Sequence, residues 1–406
     1  MTIPVSVVVV SRNRPDALER CLKGLAQVDH PDVEVVVVCD VRSAPAVARA
    51  GLEAVVRQVP FEEPNISAAR NAGIAAASGE IVAFLDDDAV PEPRWLSHLC
   101  APFEDPRVLA AGGFVLGRNG ITPQWRGRLA FADATTTDLP LSGTEPHLAR
   151  GAPGRGVKTE GTNMAVRRQT LVTMGGFDEA FAFYLDETDL NLRLGAAGAV
   201  TALVPLALVH HGFAASDRRT ADRVPRDLHE IGASLAVFLR KHGGTRSPLP
   251  EPHRARQRRA LVAHMCDGRM MPGDVDRLMA TFDAGWAEGL ARAMDLTARI
   301  GPPPERLRCP TVVRPHEQVT ARVWQARRAR ARAIELRDGG AVVSLLLLSW
   351  TSLYHRVRFT RAGIWEQRGG QFGRAERDEP LFRLSTAGAR AIREARRVAE
   401  VRVPKP

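Results

Sequence analysis

Residues 5–10 read VSVVVV and residues 33–38 read VEVVVV, two almost uninterrupted apolar runs of strand length. A strand with one face in water alternates in polarity, whereas a strand apolar throughout is covered on both faces, as in parallel sheets packed between helices. Between the runs, Pro15 suits a first helical turn, and Leu18, Cys21, Leu22 and Leu25 recur at helical spacing. The pattern then repeats. A helix is expected from about residue 45, a weaker strand at 55–59, a helix capped by Asn65 or Ser67 and stopped by Gly79, and another apolar run at 81–85. This alternation predicts an α/β fold with a mostly parallel sheet flanked by helices. Ligands of such sheets gather at the carboxyl ends of the strands, where Ser11, Asp40 and Asp86 fall.

The fourth run ends in Asp86, Asp87 and Asp88. Three adjacent carboxylates repel one another, so the cluster is either solvated in a turn before Pro91 and Pro93 or held by a cation. With a strand period of two, Asp86 and Asp88 point to one side and can share a hard divalent ion such as Mn2+ or Mg2+. A second acidic cluster, Asp186-Glu187-Thr188-Asp189, opens a predicted helix in which Asp189 and Arg193 stand four residues apart. Glu187 shares the helical stripe of Leu190 and Leu194, so partial burial is expected to raise its pKa and suit it to general-base work, while the other acids are placed to pair with Arg193. The plain alternative is an acidic first turn that complements the helix dipole. An apolar segment at 200–209 ends in the doublet His210 and His211, either of which can complete a metal site or serve the structure.

Charge divides the chain. Residues 241–406 hold 32 Lys and Arg against 17 acids, whereas residues 1–240 hold 24 against 29. Together with the stretch TRSPLPEP at 245–252, this predicts a first domain over 1–244, a linker over 245–253 and a smaller, basic, mainly helical α+β domain over 254–406. Within the last, helices are expected to about residue 300, then a proline break at 302–304, an arginine-rich helix at 321–337, a strand at 342–348, a hairpin, and a basic helix after Ser385. Helices that interleave arginine with apolar residues point to an anionic neighbour, such as a membrane surface. Residues 117–160, rich in Gly, Thr, Pro and Arg without periodicity, read as a mobile loop or insertion beside the site. The five cysteines are odd in number and scattered, which argues against disulfides or zinc. No apolar run is long enough to cross a bilayer and the start lacks a basic leader, so a cytoplasmic location is expected.

Several blocks in fixed order carry a resemblance: residues 4–14, PVSVVVVSRNR; residues 34–40, ending in Cys39-Asp40; Ala69-Arg70-Asn71-Ala72-Gly73; Phe84-Leu85-Asp86-Asp87-Asp88; Gly161-Thr162-Asn163-Met164-Ala165; Gly175-Gly176-Phe177-Asp178; and Asp186-Glu187-Thr188-Asp189-Leu190 with Arg193. Over residues 3–242 the chain resembles a family-2 glycosyltransferase of the GT-A fold. The resemblance implies a nucleotide-diphosphate sugar donor lined by Val10, Ser11, Arg12, Arg14, Asp40, Arg70, Asp86 and Asp87. It implies a divalent metal on Asp88, with His211 or His210 as a further ligand, and a catalytic base at Glu187. Two departures matter. Cys39-Asp40 stands where the family commonly has two acids, and the order Asp186-Glu187 is reversed, which leaves Asp186 as the alternative base.

The implied activity is a metal-dependent, inverting transfer of a sugar to a hydroxyl of a glycan or lipid-linked acceptor, in the making of a surface polysaccharide or glycoconjugate, with a peripheral place on the inner face of the membrane. Nucleic acid is not expected as a partner. A reading from another class is a nucleotide-binding assembly or scaffold protein with a degenerate transferase domain and an anionic-surface-binding C-terminal region. Intact Asp86, Asp88 and Glu187 favour the enzyme.

Overall fold

A computed structural model describes residues 3–243, 251–295, 297–309 and 313–404. Strands β1 (Val5–Ser11), β2 (Val33–Cys39), β3 (Val56–Pro60) and β4 (Ile81–Asp86) alternate with helices α1 (Pro15–Leu25), α2 (Pro45–Arg49) and α3 (Ile66–Ala76). β1 pairs in parallel with both β2 and β4, and β2 with β3. The valine runs are covered on both sides: Val5, Val7 and Val9 share a core with Leu18 and Leu22 of α1, and Val8 shares another with Ile74 of α3 and Phe84.

Next come β5 (Ala89–Pro91), α4 (Trp95–Cys100) and β6 (Val108–Leu116), then five short strands, β7 (Pro123–Trp125), β8 (Arg128–Phe131), β9 (Thr136–Asp138), β10 (His147–Arg150) and β11 (Arg155–Lys158). Of the two readings of residues 117–160, the short strands fit an insertion beside the site and not a loose loop. β7 pairs with β6, and β11, β8 and β9 form a small antiparallel sheet. Strands of three or four residues, with β9 and β10 mostly exposed, are too brief for a period-two pattern to show.

The remainder of the first unit is β12 (Met164–Arg167), α5 (Arg168–Met174), α6 (Asp186–Ala196), β13 (Val200–His211) and α7 (His229–Phe238). β12 inserts antiparallel between β4 and β6, and β13 runs parallel to β6. In the path β10-β13-β6-β12-β4-β1-β2-β3 only β10 and β12 oppose the rest, so the sheet is mostly parallel, as the alternation predicts.

Helices α8 (Glu251–Cys266) and α9 (Pro272–Ala291) pack on α7 around Leu235, Phe238, Leu278 and Phe282. Gly285 lets α9 approach so closely that an added Cβ would run into the His229 carbonyl. Farther on, Arg306 bonds Asp32 at 2.9 Å and Cys309 bridges to Val33, so residues 251–309 adhere to the first unit. Most of the expected linker lies outside the described residues, and 251–253 already open α8.

A second unit follows, made of β14 (His316–Arg322), α10 (Ala326–Asp338), β15 (Val342–Ser349), β16 (Arg356–Phe359), β17 (Trp365–Gly370) and α11 (Ala387–Arg402). Its sheet order is β14-β15-β17-β16, with the first three strands parallel. The helix expected at 321–337 starts at Ala326, because residues 316–322 pair with β15 as a strand. The unit docks on the first through Val90 and Ile121, which pack with Val342, Val357, Phe359 and Trp365. Among the described residues no helix is long and apolar enough to cross a membrane.

Candidate active site

The carboxyl ends of β1 and β4 open into a cleft of about 800 Å³. Val10 and Asp86 are register partners, so the chain turns away from both strands at one level. Beyond β1 the turn is held from beneath. Asn13 takes a left-handed φ of 57°, and buried Asp40 accepts its N–H at 3.1 Å and that of Ser43 at 3.1 Å. Asp87, also buried, accepts from Ser11 Oγ at 2.7 Å and pairs with Arg14 Nη2 at 2.7 Å. Burial pushes the Asp87 carboxyl up to about 7 although Arg14 opposes it. Asp40 and Asp87 thus brace the turn and do not face the cleft, whereas Val10, Ser11, Arg12, Arg14, Arg70, Asp86 and Asp88 line it.

Asp88 reaches a partner 123 positions away through the three-residue strand β5. β5 pairs antiparallel with the end of β13, placing His211 opposite Ala89, and the Gly212 N–H closes on the Asp88 carbonyl at 2.6 Å. Consecutive residues of a strand face opposite ways, so the doublet is split. His211 Nε2 lies 3.5 Å from Asp88 Oδ1, inside the cleft, while His210 Nε2 meets Glu92 at 2.7 Å on the far side and its ring lies 4.8 Å from that of Trp365. The structure does not bring His210 to the aspartates. Ligand atoms of Asp86, Asp88 and His211 lie within 4.8 Å of one another, and His211 Nδ1 is buried with no hydrogen-bond partner among the described residues. Two carboxylates and an imidazole are a donor set suited to a divalent cation such as Mn2+. Asp88 also accepts from the Ala214 N–H at 2.8 Å; burial works against its charge, but His211 and Arg14 win and hold its carboxyl below the usual range.

The second acidic cluster joins the first through Arg70. This buried guanidinium, projecting from α3 behind the Asn65 cap, pairs with Asp186 and lies 3.4 Å from Asp86. An added Cβ at Gly161 would strike it, which explains a glycine there. Glu187 takes another partner, Lys158 Nζ of β11, at 2.8 Å. The expected rise in its pKa is overturned. Burial favours the neutral acid, but the adjacent ammonium outweighs it and holds Glu187 at about 2, while burial and the neighbouring Glu187 push Asp186 up to about 7 against the pull of Arg70. Asp189 pairs with Arg193 at 2.8 Å, as its spacing suggests, and also with His242 and Lys241.

Sequence reasoning missed the cationic wall. Lys158 and Arg128 arrive on the short strands, and Arg218, Arg219, Arg223 and Arg226 line the cleft from the segment after His211. Four arginines within nine residues were the available signal. Arg223 Nη1 is buried with no hydrogen-bond partner among the described residues, and burial lowers the Arg223 pKa, opposed by Asp88. A cleft that combines such cations with an acidic, ion-competent floor is built to take an anionic ligand.

Residues 6–171 match the family described as glycosyl transferase family 2. Among curated proteins, the chain is 28% identical over 299 residues to the O-antigen biosynthesis protein RfbC of Myxococcus xanthus, covering 68% of this chain and 22% of that one. It is 30% identical over 251 residues to the pre-mycofactocin glycosyltransferase of Mycobacterium tuberculosis, covering 60% and 49%. The chain therefore spans less than half the length of either relative. Among solved structures, a mannosyltransferase from Pyrobaculum calidifontis in complex with GDP-Man and Mn2+ matches 72% of this chain and 76% of its own at 19% identity, with a TM-score of 0.42. The region that supplies β1 to β4, the three aspartates and Arg70 is the region that matches the glycosyl transferase family 2 model.

Proposed function

We propose that the protein transfers a sugar, with inversion, from a nucleotide-diphosphate sugar to a hydroxyl of a glycan or lipid-linked acceptor that is a precursor of a surface polysaccharide or glycoconjugate. The observation that carries this is Arg70, one buried guanidinium joining Asp86 of the first acidic cluster to Asp186 of the second across a single cleft. The donor's diphosphate would meet Arg12, Arg219 and Arg223 at the mouth, and the unpartnered Arg223 nitrogen supports an anion there. A divalent cation held by Asp86, Asp88 and His211 would neutralise charge on the departing diphosphate. Val10 and Ser11 would take the nucleoside side, with Asp40 and Asp87 keeping their turn rigid. Glu187 is the general base. It is ionised at neutral pH, and an acceptor hydroxyl that draws Lys158 away leaves a stronger base at the moment of attack.

The acceptor class draws on a relative named for O-antigen biosynthesis. A peripheral site on the inner face of a membrane, in the cytoplasm, belongs to the same reading, since a lipid-linked acceptor would be met there. The test is incubation of purified protein with Mn2+ and a panel of nucleotide-diphosphate sugars, with and without glycan or polyprenyl-linked acceptors. Release of nucleoside diphosphate from one donor, accelerated by one acceptor and absent in Asp88→Ala, is the expected result. Turnover of no donor under any condition would favour a degenerate, nucleotide-holding domain.

A further inference from the structure

In the second unit the register sets Arg322 beside Leu348 and Ser349 beside Gly370, so parallel β14, β15 and β17 end at one edge. The loops leaving them are folded together. The Phe372 N–H donates to the Thr351 carbonyl at 3.1 Å, the Gly370 N–H to Leu353 at 2.9 Å, and the Arg383 N–H to Phe372 at 2.9 Å. On these joined loops Trp350, Tyr354 and Phe382 are each more than half exposed, and so are Leu353, Leu381 and Leu384, the last at 79%. Trp324 belongs to the same edge, because Arg322 lies 3.7 Å over the Trp350 ring and 6.0 Å from that of Trp324. Arg374 stacks on Tyr354 at 4.4 Å and donates to its hydroxyl.

We propose that this edge docks on the surface of an anionic lipid bilayer. A contiguous apolar patch with so many side chains in water marks an interaction site. Three exposed leucines offer nothing for a sugar ring to stack on but gain by entering the acyl boundary, while Trp and Tyr suit the headgroup level. Charge complementarity supplies the partner's sign: residues 313–404 hold 19 arginines against nine acids, a net +10 that equals the charge of the whole chain. Glu376 and Asp378 share the loops, so the apolar side chains carry the insertion and the unit's overall charge draws it in. The helices expected from sequence to meet such a surface spend part of their charge within the fold. Arg330 of α10 is committed to Glu366, Arg390 and Arg397 of α11 to Glu394, and Arg402 to Glu92.

The inference rests on the lipid-linked reading of the acceptor for its purpose but not for its test. Full-length protein is sedimented with vesicles of phosphatidylcholine alone or mixed with phosphatidylglycerol, and nucleotide-sugar binding is measured in parallel. Binding to the anionic vesicles about tenfold or more above the neutral ones, weakening as salt rises, is expected. Trp350→Glu with Leu384→Glu, both at exposed positions, should abolish sedimentation while the melting temperature and nucleotide-sugar binding stay as in the wild type. Brominated lipid should quench tryptophan fluorescence in the wild type and much less in Trp324→Phe with Trp350→Phe. Recovery in the supernatant with both lipids at low salt would overturn the proposal, as would unchanged sedimentation of the double variant. A soluble glycan or a second copy of the chain bound through this edge, in place of vesicles, would also overturn it.

Discussion

His210 and His211 are neighbours in sequence, yet they serve two clusters of opposite character. On one face of β13, His210, Glu92, Arg402, Ser344 and Trp365 close on one another. Arg402 donates to both Glu92 oxygens, at 2.8 and 2.5 Å, and to Ser344 Oγ at 2.9 Å, over the Trp365 ring at 4.4 Å. On the other face, His211, Asp88 and Asp86 crowd together with an unpartnered imidazole nitrogen, and the nearby guanidinium of Arg223 is short of acceptors. Both clusters place carboxylates beside cations. In the first, both Glu92 oxygens and all three Arg402 guanidinium nitrogens are engaged, although His210 Nδ1 too is buried without a partner among the described residues, and the cluster welds the last helix to the first unit. The second faces a cleft, toward which its carboxylates and imidazole stay open. A buried charge network becomes a site when its bonding is left incomplete toward open space, and a fastening when it is not.

The comparison breaks most readily at the open cluster. Glu187→Gln should lower turnover by a factor on the order of 10² to 10⁴ while donor binding persists. If Asp186→Asn is the more damaging change, the base is the acid on Arg70 and not the one on Lys158. At the fastening cluster the loss should be of stability. Arg402→Met leaves Glu92 buried without its guanidinium and is expected to cost about 3–5 kcal/mol in urea denaturation, with nucleotide-sugar binding retained below the unfolding transition. A variant as stable as the wild type would remove the distinction between fastening and site.

Acid gives a smaller and more specific effect. Burial alone would raise the Glu92 carboxyl, but Arg402 and His210 prevail and hold it at about 2 in the folded protein. With the folded value depressed, its contribution is complete above the ordinary glutamate value of about 4.3 and disappears as pH falls from there through about 2. Two units correspond to about 3 kcal/mol. Denaturation curves between pH 5 and 2 should therefore steepen less with acid in Glu92→Gln than in the wild type, and equal slopes would count against this linkage.

What the sequence disclosed, and what it withheld, follows the reach of each signal. The valine runs and the Leu18–Leu22 stripe report burial within a few residues, and the parallel sheet they predict is the sheet found. Asp86 and Asp88 were legible because strand end and acid cluster coincide. The His210 and His211 doublet stayed ambiguous, because only the pairing of β5 with β13 decides which ring faces the aspartates. Lys158 was missed, and the expected pKa of Glu187 reversed with it, because its partner comes from a four-residue strand inside a stretch without periodicity. The arginines of α10 and α11 looked like a surface for lipid, but Arg390 is buried on Glu394, four residues along its own helix, and Arg402 on Glu92, which only the tertiary fold brings to it.

The most direct measurement is a thermal-shift titration of nucleotide-diphosphate sugars with and without Mn2+, on the wild type, Asp88→Ala, His211→Ala and His210→Ala. A ligand of the folded state raises the melting temperature. At least one nucleotide-diphosphate sugar should do so in the wild type only when Mn2+ is present. The shift should vanish in Asp88→Ala, shrink in His211→Ala, and persist in His210→Ala above a lowered starting temperature. A shift that needs no metal, survives in Asp88→Ala, or is lost through His210 but not His211 would contradict the assignment of the open cluster as the donor site.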